Sequence, residues 1–224
     1  MASKKIPDTC SVSILVVTQP ILLIKGTIRM LHAHTLKPGG FGRMHTALID
    51  FKQVNDTIPR QELWQYLQRT SMPASFLPII QDMHDADEYI LKDGERTAQV
   101  YPNTGVKQGC PLSLLLFSLY INDVDEIAEG VQGAVTGTPG SSVTHMLYAD
   151  DLTLMANDSD AMQIMLSRLH WYAQRKHLIV NTTKSEVAHF KSSGSNVPMF
   201  KVGRVPLAHK DSPCACCDRT ALRG

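Results

Sequence analysis

The sequence is short of three features that would point directly to a class of protein: net charge, cysteine and long apolar runs. Its 22 basic and 21 acidic residues leave a formal charge of +1, so it lacks the basic excess typical of nucleic-acid-binding proteins. The five cysteines, an odd number without regular spacing, indicate free thiols in a reducing compartment rather than a disulfide framework. With 43% hydrophobic residues over 224 positions, the chain predicts one large globular domain, with or without ragged ends.

The longest apolar stretch, residues 11–24, follows Lys4 and Lys5 and therefore resembles a signal peptide. Gln19 and Pro20 interrupt it, and no clean cleavage site follows. It is also shorter than the ~20 apolar residues of a membrane span. We therefore expect an intracellular protein, in the nucleus or the cytoplasm, that is neither secreted nor bound to a membrane.

Hydrophobic patterns predict helices alternating with paired strands. Residues 46–51 form a short apolar strand, and a helix opens at Thr57 and Pro59. A second helix is expected at 75–83, a hairpin at 88–101 around the turn pair Asp93-Gly94, and an apolar helix from Pro111. Two strands flank residues 150–151, a helix capped by Asp158 follows, and short strands are expected at 179–180 and 187–190. The pattern predicts an α+β fold, an antiparallel sheet with helices packed on one face.

Three carboxylates stand out because each lies at the end of an apolar strand. Asp150 and Asp151 are adjacent, and two like charges side by side are unfavourable unless an exposed turn or a cation relieves them. Taken alone, the pair is more often a polar hairpin turn. Asp50 ends a different strand, however, and three such carboxylates at one sheet edge can hold two Mg²⁺ ions through hard oxygen ligands.

Three motifs carry a resemblance to the reverse transcriptases of retrotransposons without long terminal repeats. Residues 148–152 (YADDL) resemble the catalytic turn, and residues 105–113 (GVKQGCPLS) resemble the nucleotide- and template-contacting loop. Residues 50–52 (DFK) together with Asp56 resemble the first carboxylate motif. Their order and spacing also agree. A weaker match is the LIVN sequence at residues 178–181, followed by Lys184. Taken alone, a lysine after a strand is more often solvated surface, and the order of the preceding motifs is what supports a functional role.

The resemblance implies a polymerase palm that binds an RNA template, a DNA primer and dNTPs with Mg²⁺ or Mn²⁺ as cofactor; it makes no prediction about oligomeric state. The implied metal ligands are Asp50, Asp150 and Asp151, and these residues with Lys184 are the implied catalytic set. The implied nucleotide- and template-binding residues are Phe51, Asn55, Gln108, Gly109 and Tyr148.

The sequence also departs from the family. Asn55 stands where a bulky aromatic residue normally excludes the ribose 2′-hydroxyl, which predicts poor discrimination against ribonucleotides. A GFGR sequence at 40–43 lies unusually close to Asp50, and no room for a thumb domain follows Gly203. We therefore expect a truncated fragment: residues 1–45 a divergent remnant of the fingers, 46–203 the palm, and 204–224 a divergent or disordered tail.

Alternative interpretations remain open at this point. A catalytically inactive retrotransposon remnant would keep at most weak metal or nucleic-acid binding. A receiver-like phosphotransfer protein also clusters aspartates, but it would show alternating parallel strands and helices rather than hairpins. A zinc site formed by His209 with Cys214, Cys216 and Cys217 is disfavoured, because the paired Cys-x-x-Cys spacing is absent.

Overall fold

The computed structural model describes residues 43–70, 72–85, 88–107, 109–135, 142–191 and 198–210. Residues 1–42, Gln108, and the three tail cysteines lie outside this part of the chain, together with the predictions made for them. The chain divides into two compact units. Of the described residues, the sheet unit comprises those from Arg43 to Asp50, from Asp125 to His170 and from Asn181 to Lys210; the helical unit comprises those in Phe51–Val124 and Trp171–Val180.

The strands and helices of the described part are numbered in chain order. The strands are β1 (Arg43–Ile49), β2 (Tyr89–Asp93), β3 (Arg96–Val100), β4 (Ala134–Val135), β5 (Ser142–Val143), β6 (His145–Tyr148), β7 (Asp151–Ala156), β8 (Glu186–Lys191), β9 (Lys201–Val202), β10 (Val205–Pro206) and β11 (Ala208–Lys210). The α-helices are α1 (Val54–Thr57), α2 (Arg60–Arg69), α3 (Phe76–Asp85), α4 (Pro111–Tyr120) and α5 (Ser159–Arg175), and a 3-10 helix covers Val124–Ala128.

The sheet unit is built on five strands in the order β11-β8-β1-β7-β6. β1 pairs antiparallel with both β7 and β8, and β6 with β7, whereas β11 joins β8 in parallel. Thr46 and Ala47 are neighbours on the central strand and both are buried. Because successive strand residues point to opposite faces, both faces of β1 are covered. On one face Met44, Met155 and Phe190 pack in a cluster with Ala134 of β4.

Helix α5 begins where the sequence predicts. The Asp158 carboxylate accepts hydrogen bonds from the backbone N–H groups of Asp160 and Ala161, which satisfies two donors of the first turn. The predicted apolar stripe is buried throughout: Met162, Met165, Leu166, Leu169 and Ala173. The methionines are therefore core residues, as the pattern indicated.

The helical unit contains α1 to α4 and the β2–β3 hairpin. Proline opens α4 at its first turn, where a missing N–H leaves no bond unmade. In the hairpin Asp93 pairs with Arg96, so the two loop residues are Gly94 and Glu95 rather than the predicted Asp93 and Gly94. Gly94 has φ +61, and the favoured two-residue hairpin turns require such a positive φ at their first loop position.

Three other predictions about elements are corrected. The first strand begins at Arg43 rather than Thr46, and its pairing ends at Ile49. Residues 179–180 do not form a strand; Val180 makes only an isolated bridge with Phe51. Residues 204–210, which the sequence assigned to the tail, contain β10 and β11, and β11 belongs to the main sheet. No helix in the described ranges is long and apolar enough to cross a membrane.

Candidate active site

The β6–β7 hairpin presents the paired aspartates. Tyr148 pairs directly with Asp151, so the connecting turn consists of only two residues, Ala149 and Asp150. Ala149 has φ 50, a left-handed conformation that glycine adopts easily and alanine does not. Such strain is found where the surrounding structure holds a turn in one shape, which here sets the positions of both carboxylates.

Asp50 reaches the same end of the sheet. In the antiparallel pairing of β1 and β7, Ile49 lies opposite Leu152. The next residue along β1 is Asp50, and the preceding residue on β7 is Asp151. Since antiparallel partners advance in opposite directions, these two aspartates lie side by side where the β1–β7 ladder ends. The structure therefore brings Asp50 to Asp150 and Asp151, which lie 100 residues away in sequence.

The electrostatics of Asp151 reflect this proximity. Partial burial raises the pKa of Asp151, and the negative charges of Asp150 and Asp50 raise it further. Asp50 and Asp150 therefore both disfavour ionisation of Asp151. The raised pKa of Asp151 is the response expected of a partly buried carboxyl group that lies beside like charges.

Asp50 is held by the turn that precedes β8. The Asn181 side-chain Nδ2 donates a hydrogen bond to Asp50 Oδ2 at 2.8 Å, and its backbone N donates to the Asp50 carbonyl oxygen, also at 2.8 Å. The Asp50 backbone N donates to Ser185 Oγ at 3.0 Å. Sequence reasoning included Asn181 in a motif but assigned it no role, and it did not single out Ser185. The sequence shows only that Asn181 is a polar residue directly after the apolar residues 178–180.

Two other predicted residues lie in the sheet unit. Tyr148 is half-buried at the end of β6, opposite Asp151. Lys184 is exposed on the turn after Asn181, and its backbone N donates to the Asn181 carbonyl oxygen at 3.1 Å. Both therefore lie in or next to segments that carry the aspartates or hold Asp50.

The remaining predicted residues that the structure describes lie in the helical unit. Phe51 is buried, and Asn55 is half-buried in α1. The Asn55 carbonyl oxygen accepts a hydrogen bond from the backbone N of Val106 at 2.6 Å. Gly109 is exposed with φ +78. Within this unit the structure thus joins the segment after Asp50 to the predicted nucleotide-contacting loop.

The donor set of the three aspartates suits a hard divalent cation, because it offers only carboxylate oxygens at a partly solvated sheet end. Among the described residues, however, no group of three or more His, Cys, Asp or Glu side chains converges as ready metal ligands. The aspartates are neighbours by strand register, and their side chains are not drawn into one coordination shell. Metal ligation by Asp50, Asp150 and Asp151 therefore stays a prediction.

Comparison with known proteins bears on this arrangement. Residues 27–212 match the family model described as reverse transcriptase (RNA-dependent DNA polymerase). The Pol polyprotein of the R2 element of Popillia japonica is 24% identical over 155 residues, 68% of this chain and 26% of that protein. A 149 kDa protein of transposon TX1 from Xenopus laevis is 29% identical over 165 residues, 73% of this chain and 12% of that protein. The chain thus spans about a quarter or less of the length of these relatives.

Solved structures show the same fold. The telomerase of Candida tropicalis, in complex with a TWJ fragment of telomeric RNA, superposes with a TM-score of 0.58 at 12% identity, over 80% of this chain and 31% of that one. The Candida albicans telomerase has a TM-score of 0.56 at 13% identity, over 83% of this chain and 34% of that one. At such identity the likeness shows the fold alone, and it confirms the predicted α+β palm. Because the family model matches most of the chain, this protein belongs to the reverse transcriptase family, with retrotransposon proteins such as those of R2 and TX1 among its relatives.

Proposed function

We propose that the chain carries the catalytic centre for RNA-directed DNA synthesis. In this reaction a primer 3′-hydroxyl attacks the α-phosphorus of a dNTP paired with an RNA template, a new P–O bond forms, and pyrophosphate leaves. The observation that best supports the proposal is the strand register that places Asp50 beside Asp151, next to the turn carrying Asp150. Because the chain spans about a quarter or less of the length of its relatives, DNA synthesis by the chain itself is a proposal.

The three aspartates are the proposed ligands of Mg²⁺, with Mn²⁺ as a substitute. Such ions, when bound as a pair, stabilise the attacking and the leaving oxygens of phosphoryl transfer. The protein's own contribution is to hold three carboxylates together despite their repulsion. Asp150 and Asp151 are held by a two-residue turn, and Asp50 by the hydrogen bonds from Asn181.

The other predicted residues are assigned to the substrates. Lys184 is proposed to donate a proton to the leaving pyrophosphate, since an exposed ammonium group can reach an anion without desolvation. The proposed nucleotide- and template-binding residues are Phe51, Asn55, Gln108, Gly109 and Tyr148. RNA template, DNA primer and dNTP are thus the proposed partners.

Primer extension on an RNA template with Mg²⁺ or Mn²⁺ tests the proposal. Asp150→Asn keeps the size of the side chain and removes its charge, so we expect extension to fall about 100-fold or more. Asp160→Asn is the matched control, because Asp160 is an exposed aspartate in the first turn of α5. Equal extension by the parent and Asp150→Asn would overturn the assignment.

The same assay separates the competing function. A non-catalytic remnant would give no extension with either the parent or the variants, while still retaining RNA in a filter-binding measurement. Absence of extension by a folded parent protein would therefore favour that alternative. Folding is checked independently by the cooperativity of thermal unfolding.

A further inference from the structure

Asn181 contacts Asp50 through both its backbone and its side chain, and it does so from a buried position. The residue is 7% exposed, and its Nδ2 lies 2.8 Å from Asp50 Oδ2. Its backbone N lies 2.8 Å from the Asp50 carbonyl oxygen. A buried amide that donates to a carboxylate forms a charge-assisted hydrogen bond, which is stronger than a bond between neutral groups.

The other end of the Asn181 amide makes a second contact. Thr183 Oγ1 donates a hydrogen bond to Asn181 Oδ1 at 2.7 Å. An amide has one accepting and one donating end, so an Oδ1 that faces the Thr183 hydroxyl leaves Nδ2 facing Asp50. The flipped amide would place its oxygen against the carboxylate and would be repelled. The Asp50 carboxylate thus selects the orientation of the amide, and the hydrogen bond from Thr183 restrains the amide in that orientation.

The backbone around Asp50 is held by the same turn. Ser185 is fully buried, and its Oγ accepts the hydrogen bond from the Asp50 backbone N at 3.0 Å. The Ser185 backbone N in turn donates to the Asn181 carbonyl oxygen at 2.8 Å. The turn formed by residues 181–185 thus contacts the backbone N, the carbonyl oxygen and one carboxylate oxygen of Asp50.

These contacts leave the other carboxylate oxygen available. Within the described ranges, no donor forms a hydrogen bond with Asp50 Oδ1. Asp150 and Asp151 repel the Asp50 carboxylate, and a free side chain would rotate away from them. We propose that Asn181, restrained by Thr183, is a positioning residue that holds Asp50 Oδ2 so that Oδ1 stays turned toward the site shared with Asp150 and Asp151.

This inference rests on the proposed metal-dependent function, and it concerns the binding of the cation rather than the chemical step. Groups that orient a metal ligand typically change metal affinity about 10–100-fold when they are removed. The direct measurement is therefore Mn²⁺ binding to the full chain without nucleic acid or nucleotide, followed by the loss of the free-ion electron paramagnetic resonance signal.

Two variants test the contact from different sides. Asn181→Leu removes the donor with little change in volume, and we expect Mn²⁺ affinity to fall about 10-fold or more. Thr183→Val keeps Asn181 and removes only the hydroxyl that restrains its amide. Thr183 is exposed, so this variant is expected to fold normally and to lose several-fold in affinity. Thr182→Val is the matched control, because Thr182 takes no part in these hydrogen bonds, and its affinity should equal that of the parent.

Asp50→Asn separates the two levels of the proposal. If Asp50→Asn binds Mn²⁺ as the parent does, the metal site itself is misassigned and the proposed function fails. If Asp50→Asn loses binding while Thr183→Val and Asn181→Leu bind like the parent, the positioning role fails and the metal site stands. If Asn181→Leu unfolds, as thermal melting would show, Thr183→Val against Thr182→Val decides the question. Loss of affinity in Thr183→Val, with an unchanged melting temperature, is the expected result.

Discussion

Mild acid is expected to destabilise the sheet unit through one buried histidine. His45 lies on β1, is 1% exposed, and faces His189 of β8 with 2.9 Å between the two Nδ1 atoms. The edge of the Phe200 ring packs against it, with 5.1 Å between the ring centroids. Burial lowers the pKa of His45 from 6.5 to about 4, and the adjacent positive charges act in the same direction. The groups concerned are His189, Arg43 and His209, while Asp158 opposes them.

The sign and size follow from proton linkage. The folded pKa of His45 is lower than the unfolded pKa, so the unfolded chain binds the proton more readily. Above pH 6.5 both states carry a neutral ring, and His45 adds no pH dependence. As the pH falls from 6.5 toward 4, the free energy of unfolding drops by about 1.4 kcal/mol per unit, or about 3 kcal/mol in all.

Urea unfolding of the full chain at pH steps from about 7.5 to about 4.5 measures this slope. His45→Leu removes the titrating ring, so its free energy of unfolding should fall less steeply than that of the parent over this range. His177→Asn is the control, because His177 is exposed and asparagine tolerates its left-handed φ of 54; this variant should keep the steep loss of the parent. Parallel curves for the parent and His45→Leu would refute the reasoning, since another group would then have to bind the proton.

Three further predictions concern the helical unit. If Asn55 lines the nucleotide site as proposed, Asn55→Phe should raise selectivity for dNTP over rNTP about 10-fold or more in primer extension, because asparagine is too small to exclude a 2′-hydroxyl; strong selectivity in the parent would contradict this. Gly105→Ala should lower the free energy of unfolding by about 2 kcal/mol or more, since Gly105 has φ +83 and a Cβ would lie 2.8 Å from the Asn55 carbonyl oxygen. Gly109→Ala, with φ +78 and open space around the Cβ, is its control and should lose less in urea unfolding. Lys176→Met should cost about 2 kcal/mol by the same measurement, because the Lys176 Nζ lies 2.7 Å from Asp123 Oδ2 and the variant leaves that carboxylate without its cation; an unchanged midpoint would show that the pair adds nothing.

The sequence predicted those parts of the fold that depend on local patterns. The cap at Asp158, the apolar stripe of α5 and the proline that opens α4 are each determined within a few residues, and each is confirmed. Residues 179–180 are apolar and were therefore predicted as a strand, but in the part of the chain that the structure describes Val180 forms a single isolated bridge, with Phe51. Two adjacent apolar residues indicate that a segment is buried or paired, but they do not indicate how many residues of a neighbouring strand it pairs with.

Contacts between distant residues could not be predicted in this way. Lys176 stands between Arg175 and His177, a basic cluster that usually indicates a solvated helix end. The structure buries Lys176 instead, with its ammonium group 4.7 Å from the ring centroids of both Tyr66 and Tyr120. The residues that make this burial possible, Tyr66, Tyr120 and Asp123, are more than 50 positions away in sequence, so the local pattern around Lys176 cannot predict them. The same holds for Asn181, whose partner Asp50 lies 131 residues away.

The main sheet contains two clusters of like titratable groups, and it accommodates them in opposite ways. His45 and His189 face each other inside the sheet, where both rings can be neutral and one can donate to the other. Two ionised carboxylates cannot form such a hydrogen bond with each other, because neither carries a proton to donate. Asp50, Asp150 and Asp151 lie instead at the end of the β1–β7 ladder, where none of them is fully buried. Their repulsion persists there, as the raised pKa of Asp151 shows. Among the described residues no cation neutralises this cluster of like charges, and it is therefore the part of the sheet suited to binding a cation.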